Sequence, residues 1–442
     1  MRDSEATRVG LSRVGRLRVH AGKQAWMATA AVCGVLSLLT AACSGGASPG
    51  HPTIGHTKGV SAAVGAVARV SITPANGSHT ANPSHGVRVT VAEGKLRGVT
   101  VTAGHTSVAG TLSKTGTAWR TNWPLRTGRY YSVTATAVGT DGKTVTATSS
   151  FRTLTPAATF SAQTILGYHQ TYGVGIPITL TFSSPVTHKY AVEKAIQITS
   201  SKPVVGAFMW DGNQSLSFRP RTYWPQHINV SFIAHFDGLE IAPGVYGTAD
   251  LSQSFQIGNS LIAKVSTRTH YMMVYYKNKM LGRWAVSTGM PGKDTANGTY
   301  LTIEKANPTR MKGHGYNVLV PLAVRFTWSG NYIHWAAWSV AQQGVVNVSH
   351  GCVNISPAHA AIYYPLARPG DPVTVVGSPV AGAWDDGWTQ WFLTWKQLLR
   401  HSATHLAVQV GPSGSVLVDP STLSAAPTGL LHNSKPFNYA GK

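Results

Sequence analysis

The chain has 442 residues, which predicts about two to four domains rather than one. Apolar residues make up 43% of it, enough for hydrophobic cores, while Lys and Arg outnumber Asp and Glu by 37 to 15. The basic residues are scattered, and no helix-turn-helix, zinc-finger or RNA-recognition motif accompanies them, which argues against nucleic acid as a partner. An exported protein of this charge would instead be attracted to anionic wall polymers or lipid headgroups.

The N-terminus has the features of an export signal. A basic segment ending at Lys23 precedes an apolar run over residues 25–42, and Cys43 follows with Ser and Gly after it. Small residues before such a cysteine resemble a bacterial lipoprotein signal, in which the cysteine becomes the lipidated first residue of the mature chain. A cleaved secretory signal or an uncleaved apolar anchor are the alternatives. We expect residues 1–42 to be a signal peptide and Cys43 to attach the protein to the outer face of the cell membrane.

The cysteine count singles out one thiol. Of the three cysteines, Cys33 lies in the predicted signal and Cys43 would carry lipid, so Cys352 is the one left free in the mature protein. A lone thiol in an oxidising compartment is usually explained by its reactivity. The alternative is that Cys352 is an unreactive residue of the hydrophobic core.

Two β-sandwiches are predicted after a tether. Residues 43–67 are rich in Gly, Ala and Ser, which is typical of a flexible linker. Residues 68–155 contain short strands with a two-residue period, such as Arg69–Thr73, separated by turn signals. Residues 156–258 repeat this pattern, with a strand at Ile178–Phe182. Both regions are predicted to be immunoglobulin-like sandwiches that act as spacers or bind the wall.

The next region, residues 259–378, is predicted to be a β-rich domain with one short helix. Residues 307–321 are rich in Gly, Asn, Lys and Pro and are too irregular for a regular element, and a loop of this length is often functional. Ser356 is a predicted N-cap with a proline at the first helical position. We expect the helix to run to about Tyr364, where Pro365 stops it.

Residues 379–442 form a Trp-rich extension. Trp388, Trp391 and Trp395 recur at helical spacing. An aromatic stripe of this kind is more often core than ligand site, so we expect a C-terminal helix that packs onto the preceding domain.

The strongest chemical signal is the stretch over residues 349–354, which reads Ser-His-Gly-Cys-Val-Asn. His334 lies eighteen positions before Cys352, at a predicted strand end, from which it could activate the thiol as a base. Gly351 permits a tight turn that would expose the N–H groups of residues 351 and 352 to a developing oxyanion. His350 and Asn354 are close enough to shape the loop. Zinc held by His334, His350 and Cys352 is the competing interpretation, but no established metal-site spacing supports it.

At these residues the chain resembles the L,D-transpeptidases with a YkuD-type catalytic domain, whose signature is a histidine followed, after a spacer, by Ser/Thr-His-Gly-Cys-x-Asn. The likeness extends over residues 329–334, 338–340 and 370–373, and the sandwiches, tether and tail look like those of actinobacterial members. It implies a mainly β protein: two immunoglobulin-like sandwiches, a β-rich YkuD-type domain with a short helix, and a Trp-rich helical extension.

The resemblance implies a reaction in peptidoglycan that needs no cofactor. Cys352 would attack the third residue of a donor tetrapeptide stem, D-alanine would leave, and a second stem would resolve the thioester as a 3→3 cross-link. His334 would be the base and acid.

The resemblance also assigns supporting roles. The residues expected to support the loop or the oxyanion are Ser349, His350, Gly351 and Asn354. Tyr316 and Trp338 would contact substrate together with Asn354, residues 307–321 would be a lid, and carbapenem-type β-lactams would be inhibitors. Trp335 stands where relatives often have Ser, so the base assignment depends on whether the backbone carbonyl or the side chain of residue 335 orients His334.

Other classes remain open. The chain could be an L,D-carboxypeptidase or another cell-wall cysteine acyltransferase. Sortases place His and Cys farther apart and papain-like peptidases reverse their order, which disfavours both. A non-catalytic wall-binding protein is disfavoured by the intact motif.

Overall fold

The structure, a computed structural model, describes residues 65–313 and 316–424. The predicted signal peptide, Cys43 and nearly all of the tether lie outside these residues. Within them, no helix is long and apolar enough to cross a membrane.

The first sandwich packs two antiparallel sheets face to face. Its strands are β1 (Arg69–Thr73), β2 (Arg88–Ala92), β3 (Gly94–Ala103), β4 (Thr106–Ser107), β5 (Gly110–Leu112), β6 (Ala118–Thr121), β7 (Tyr130–Gly139) and β8 (Thr144–Arg152). One sheet has the order β1-β2-β6-β5 and the other β4-β3-β7-β8. Burial alternates along β7, so that Val133, Ala135 and Ala137 enter the core while their neighbours face outward. The predicted immunoglobulin-like architecture is confirmed.

The second sandwich has the larger core. Its elements are β9 (Ala158–Phe160), β10 (Ala162–Thr164), β11 (Thr171–Tyr172), β12 (Ile178–Phe182), α1 (Lys189–Lys194), β13 (Ile196–Ser200), β14 (Val204–Asp211), β15 (Ser215–Pro220), β16 (Ile228–Ala234), β17 (Glu240–Ala242), β18 (Val245–Gly247) and β19 (Leu251–Ile257). Aromatic side chains including Phe182, Phe218 and Trp224 fill the space between its sheets.

The region that holds the cysteine motif is also mainly β. Its elements are β20 (Leu261–Ser266), β21 (Tyr271–Tyr276), β22 (Lys279–Ala285), β23 (Gly298–Leu301), β24 (Glu304–Ala306), β25 (Thr309–Gly313), β26 (Tyr316–Val320), β27 (Ala323–Arg325), β28 (Tyr332–Trp335), β29 (Val353–Ile355), α2 (Pro357–Leu366) and β30 (Pro372–Val376). A sheet of order β22-β21-β20-β30-β23 packs against one of order β24-β27-β28-β29. Val265 and Val274 of the first sheet share a core with Ile333 and Val353 of the second.

Two local predictions in this region differ from the structure. Most of the segment predicted to be irregular, residues 307–321, is regular: β25 and β26 pair as an antiparallel hairpin in which Thr309 lies opposite Val320. Helix α2 begins as predicted, with the Ser356 hydroxyl accepting from the His359 N–H, but it continues past Pro365 to Leu366. A proline near the end of a helix removes a single hydrogen bond and keeps a helical φ, so it need not end the helix at the residue before it.

The C-terminal extension bridges two parts of the fold. It contains a 3-10 turn at Gln390–Phe392, helix α3 (Trp395–Arg400) and strands β31 (Ala407–Gly411) and β32 (Gly414–Val418). The two strands extend a sheet of the second sandwich to the order β10-β12-β15-β14-β31-β32, and Leu398 of α3 packs against β14.

The tryptophans of this extension do not share one helix. Trp391 enters the core of the second sandwich, whereas the adjacent Phe392 enters the core beside the cysteine motif. The helix begins only at Trp395, because the Thr394 and Gln397 side chains form a capping box there. The expectation that this helix packs onto the preceding domain is wrong, since α3 lies on the second sandwich.

Candidate active site

A parallel strand pair brings the two predicted reactive residues together. In the β28–β29 register, His334 lies opposite Asn354, and Cys352 immediately precedes β29. His334 and Cys352 both line one cavity of about 330 Å³. The pairing of β28 with β29 thus brings together two residues that are eighteen positions apart in the sequence.

The imidazole of His334 is held by a main-chain group. Its Nδ1 lies 2.7 Å from the carbonyl oxygen of Trp335, and because a carbonyl only accepts, Nδ1 carries the proton. Nε2 is therefore the unprotonated nitrogen of the neutral ring. The group that orients His334 is the backbone carbonyl of residue 335, so a Trp side chain at this position leaves the orientation of the base intact.

Burial keeps this imidazole neutral. His334 is 3% exposed, and this burial lowers its pKa to about 4, although the Trp335 carbonyl acts in the opposite direction by stabilising the protonated ring. At neutral pH Nε2 can therefore accept a proton, as a general base must.

The thiol of Cys352 is also neutral in the free protein. It is directed at the Gly330 carbonyl oxygen, 3.9 Å from Sγ, and part of the residue remains exposed at the cavity. Burial raises the pKa of Cys352 to about 11, and a backbone hydrogen bond from Tyr332 partly offsets this. The resting pair is therefore thiol and imidazole rather than thiolate and imidazolium. A thiolate must form as the proton leaves for the base during attack.

The loop before Cys352 is fixed by its own hydrogen bonds. The Ser349 hydroxyl donates to the Cys352 carbonyl at 2.6 Å and accepts from the Gly351 N–H at 3.2 Å. The Thr295 hydroxyl donates to the Gly351 carbonyl at 2.8 Å. The Gly351 N–H, which the sequence suggested would be open to an oxyanion, is thus already bonded within the loop.

Glycine is required at position 351. Its φ is +117°, a conformation that side-chain-bearing residues rarely adopt. A Cβ at this position would lie 2.9 Å from the Asn331 Oδ1 atom. The tight turn predicted for Gly351 is therefore present, and it sets where the following thiol lies.

Asn354 belongs to the framework beneath the cavity. It is 3% exposed, its side-chain nitrogen donates to the Ser339 hydroxyl at 3.0 Å, and its N–H donates to the Ser287 carbonyl at 2.8 Å. These bonds connect β29 to the segments that follow β28 and β22. Asn354 also lines the cavity, so it can position the strands and still border a ligand.

The hairpin β25–β26 forms one wall of the cavity. Tyr316, Val318 and Val320 alternate along β26 and line the cavity together with Met311 from β25. The Tyr316 ring lies 4.7 Å from the ring of His350, measured between centroids. His350 is exposed, so this contact joins the hairpin to the cysteine loop at the cavity mouth.

Trp338 also lines the cavity, next to the base. It is 55% exposed, and its ring centroid lies 5.9 Å from that of His334 and 5.6 Å from that of Trp335. An exposed aromatic side chain beside the base offers an apolar surface to whatever enters the cavity.

Sequence reasoning missed several of these residues. Met311, Val318, Val320 and Val348 line the cavity, and Thr295 holds the cysteine loop from a segment more than fifty residues earlier. The alternation of Tyr316, Val318 and Val320 is a strand signal that could have identified the hairpin wall. Nothing in the sequence pointed to Thr295. Among the described residues, no three His, Cys, Asp or Glu side chains are arranged to share a metal ion.

Comparisons with known proteins match both the sandwich region and the region that holds the cysteine motif. The bacterial Ig domain model matches residues 59–240, and the L,D-transpeptidase catalytic domain model matches residues 260–375. L,D-transpeptidase 2 of Mycobacterium tuberculosis (strain CDC 1551 / Oshkosh) is 31% identical over 404 residues, covering 87% of this chain and 98% of that protein. L,D-transpeptidase 5 of Mycobacterium tuberculosis (strain ATCC 25618 / H37Rv) is 32% identical over 349 residues, covering 76% of this chain and 77% of that protein.

One solved structure, an LD transpeptidase in complex with imipenem, is 32% identical and covers 50% of this chain and 100% of its own, with a TM-score of 0.42.

Proposed function

The chain belongs to the L,D-transpeptidase family, and we propose that it forms 3→3 peptidoglycan cross-links through a thioester on Cys352. It is an enzyme of peptidoglycan cross-linking that acts on the cell wall, outside the cytoplasm. The observation that carries the mechanistic proposal is the hydrogen bond from His334 Nδ1 to the Trp335 carbonyl, because it leaves Nε2 as a neutral base in the cavity that the Cys352 thiol also lines.

In the first half of the reaction, Cys352 Sγ attacks the carbonyl carbon of the third residue of a donor tetrapeptide stem. The thiol proton passes to Nε2 of His334 as the S–C bond forms. His334 then gives that proton to the leaving amine, the C–N bond breaks, D-alanine departs and a thioester remains. Atoms and charge balance without a cofactor.

In the second half, the side-chain amine of another stem's third residue attacks the thioester carbonyl. His334 removes a proton from this amine and returns it to the departing Sγ, so an amide cross-link forms and the thiol is regenerated. If water takes the place of the amine, the same chemistry releases a tripeptide. That outcome would make the enzyme an L,D-carboxypeptidase, the second candidate function.

We assign the surrounding residues by their contacts. Ser349 and Gly351 fix the loop that presents Sγ, and the Cys352 N–H is the loop amide left to stabilise the oxyanion, since the Gly351 N–H is bonded to Ser349. Tyr316, on the hairpin, and Trp338, beside His334, would border the donor stem. His350 supports the mouth through its contact with Tyr316, and Asn354 holds the strands in register.

A nucleophile of this kind also predicts inhibition by carbapenem-type β-lactams. A strained β-lactam carbonyl would be attacked by Sγ as the stem carbonyl is, and the opened ring would stay attached as a thioester. Attachment to the membrane through a lipid on Cys43 is likewise part of the proposal and rests on the sequence before that cysteine.

The test is incubation with purified disaccharide-tetrapeptide, followed by mass spectrometry of the products. Dimers in which two third residues are joined would support the transpeptidase assignment. Shortened tripeptide without dimers would support the carboxypeptidase assignment instead. The Cys352→Ala variant is the control and should give neither product.

A further inference from the structure

A groove that shares no lining residue with the catalytic cavity lies between the first sandwich and the second. Its volume is about 1030 Å³, three times that of the catalytic cavity. One wall is the outer face of the sheet that contains β2, β5 and β6. The other wall includes α1, β13 and the C-terminal strand β32. A cavity of this size can take a fragment of a polymer rather than a single small group.

The charges that line this groove are almost all positive. Arg88, Arg120 and Lys194 are exposed in it. The carboxylate that lines it, Glu193, is 1% exposed, and its oxygens accept hydrogen bonds from Trp210, Ser402, Ala403 and Thr404. The Glu193 carboxylate therefore accepts hydrogen bonds from groups inside the second sandwich and is not turned toward the groove arginines as an ion-pair partner.

The two arginines are placed where they repel each other. In the β2–β6 register Arg88 lies directly opposite Arg120. Like charges in this arrangement destabilise a sheet. Neither guanidinium reaches a carboxylate within ion-pair distance in the part of the chain that the structure describes. An anion that bound between them would relieve the repulsion and satisfy both groups.

Apolar side chains border the same groove. Leu112 is 45% exposed on the first wall and Val416 is 60% exposed on the second. Trp123 lies at the same junction and stacks on His235 with centroids 3.8 Å apart. Cations flanked by apolar and aromatic surface are suited to a ligand that combines carboxylates with the C–H faces of sugar rings.

From these observations we propose that the groove binds peptidoglycan itself, through stem carboxylates at Arg88 and Arg120 and through sugar faces at the apolar rim. This proposal rests on the proposed function, because it takes the substrate polymer as the occupant. A second contact with the same polymer raises the effective concentration of stems at the catalytic cavity without a new contact there. The sandwiches would then bind the wall as well as act as spacers.

The experiment measures retention of the exported chain on purified insoluble peptidoglycan from which attached phosphate-bearing wall polymers have been removed. All variants carry Cys352→Ala, so that no turnover occurs. The double variant Arg88→Gln/Arg120→Gln removes the facing pair. Its matched control, Lys95→Gln/Arg97→Gln, removes two exposed cations from β3, on the other sheet of the same sandwich.

We expect the groove variant to bind roughly tenfold more weakly and the control by less than about twofold, with the difference shrinking at high salt. Equal losses in both variants would mean that bulk charge alone binds the wall. Equal retention in both, or retention that requires the phosphate-bearing polymers, would also overturn the proposal.

Two further measurements distinguish wall binding by the arginines from a structural or a catalytic role. Thermal unfolding of the groove variant should occur at or above the wild-type temperature, because a repulsive pair is removed; a lower temperature would mean that the arginines are structural. With active Cys352, the same variant should turn over soluble disaccharide-tetrapeptide at the wild-type rate. If the wild type does not turn over that substrate, the proposed function is wrong. The retention experiment still tests peptidoglycan binding by the groove, because it does not depend on turnover.

Discussion

The pH dependence of the reaction follows from the environment of His334. The free enzyme must carry a neutral imidazole to accept the thiol proton, and burial lowers the pKa of His334 to about 4. The acid limb of kcat/KM reports this ionisation in the free enzyme. We therefore expect activity to persist well below the pH at which an ordinary histidine would be protonated.

The magnitude can be worked from the two pKa values. With a pKa of about 4, about 97% of the enzyme carries the neutral base near pH 5.5, whereas an exposed histidine with a pKa of about 6.5 would leave about 9%. The two cases differ by about tenfold in kcat/KM at that pH. On the alkaline side, Cys352 stays a thiol until about pH 11, so no further change from this pair is expected up to about pH 10.

The assay is kcat/KM for soluble disaccharide-tetrapeptide between about pH 4 and pH 9, with protein integrity checked by circular dichroism at each pH. A level profile down to about pH 5 supports the neutral thiol and imidazole pair. An acid limb near pH 6.5 would contradict this prediction, because it would mean that the imidazole is solvated or that the resting pair is ionised.

Other substitutions test separate parts of the site. Trp335→Ser should change kcat by less than about fivefold, since the orienting acceptor is the backbone carbonyl, whereas His334→Gln should lower kcat by about 100-fold or more; steady-state assays compare them. Unfolded His334 binds a proton near pH 6.5 and the folded residue only near pH 4, so the free energy of unfolding of the wild type falls as the pH is lowered through this window. His334→Gln should be spared this loss, which amounts to up to about 3 kcal/mol in urea unfolding. Parallel pH profiles for the two proteins would contradict this prediction. Asn354→Ala should cost about 1–3 kcal/mol of stability by removing the donor to Ser339, measured by urea unfolding; an unchanged transition would show that this bond is not stabilising. Gly351→Ala should abolish acylation while leaving far-ultraviolet circular dichroism unchanged, because a left-handed residue and a clash with Asn331 misplace the thiol; wild-type acylation would contradict this.

The sequence was most informative where short-range rules apply. The alternating strands of both sandwiches, the N-cap at Ser356 and the turn at Gly351 depend on a few neighbouring residues, and the structure contains all of them. The pairing of His334 with the cysteine stretch could be anticipated because each lies on a strand or at a strand end.

The errors have physical causes. In residues 307–321, the many polar and glycine residues obscured the alternation of Tyr316, Val318 and Val320, the side chains of β26 that line the cavity. The tryptophan spacing suggested one helix, yet Trp391 and Phe392 are neighbours that enter different cores. The pairing of β31 with β14 joins segments about two hundred residues apart, and no local pattern encodes it.

The central claim is that Cys352 is the nucleophile and that His334 activates it. Intact-mass analysis of the enzyme, quenched in acid during turnover of disaccharide-tetrapeptide, tests it most directly. We predict that the wild type gains the mass of the donor less D-alanine, that peptide mapping locates this mass on Cys352, and that His334→Gln gains it far more slowly. A wild-type enzyme that forms dimers with no adduct on Cys352, or a Cys352→Ala variant that still becomes acylated, would contradict this mechanism.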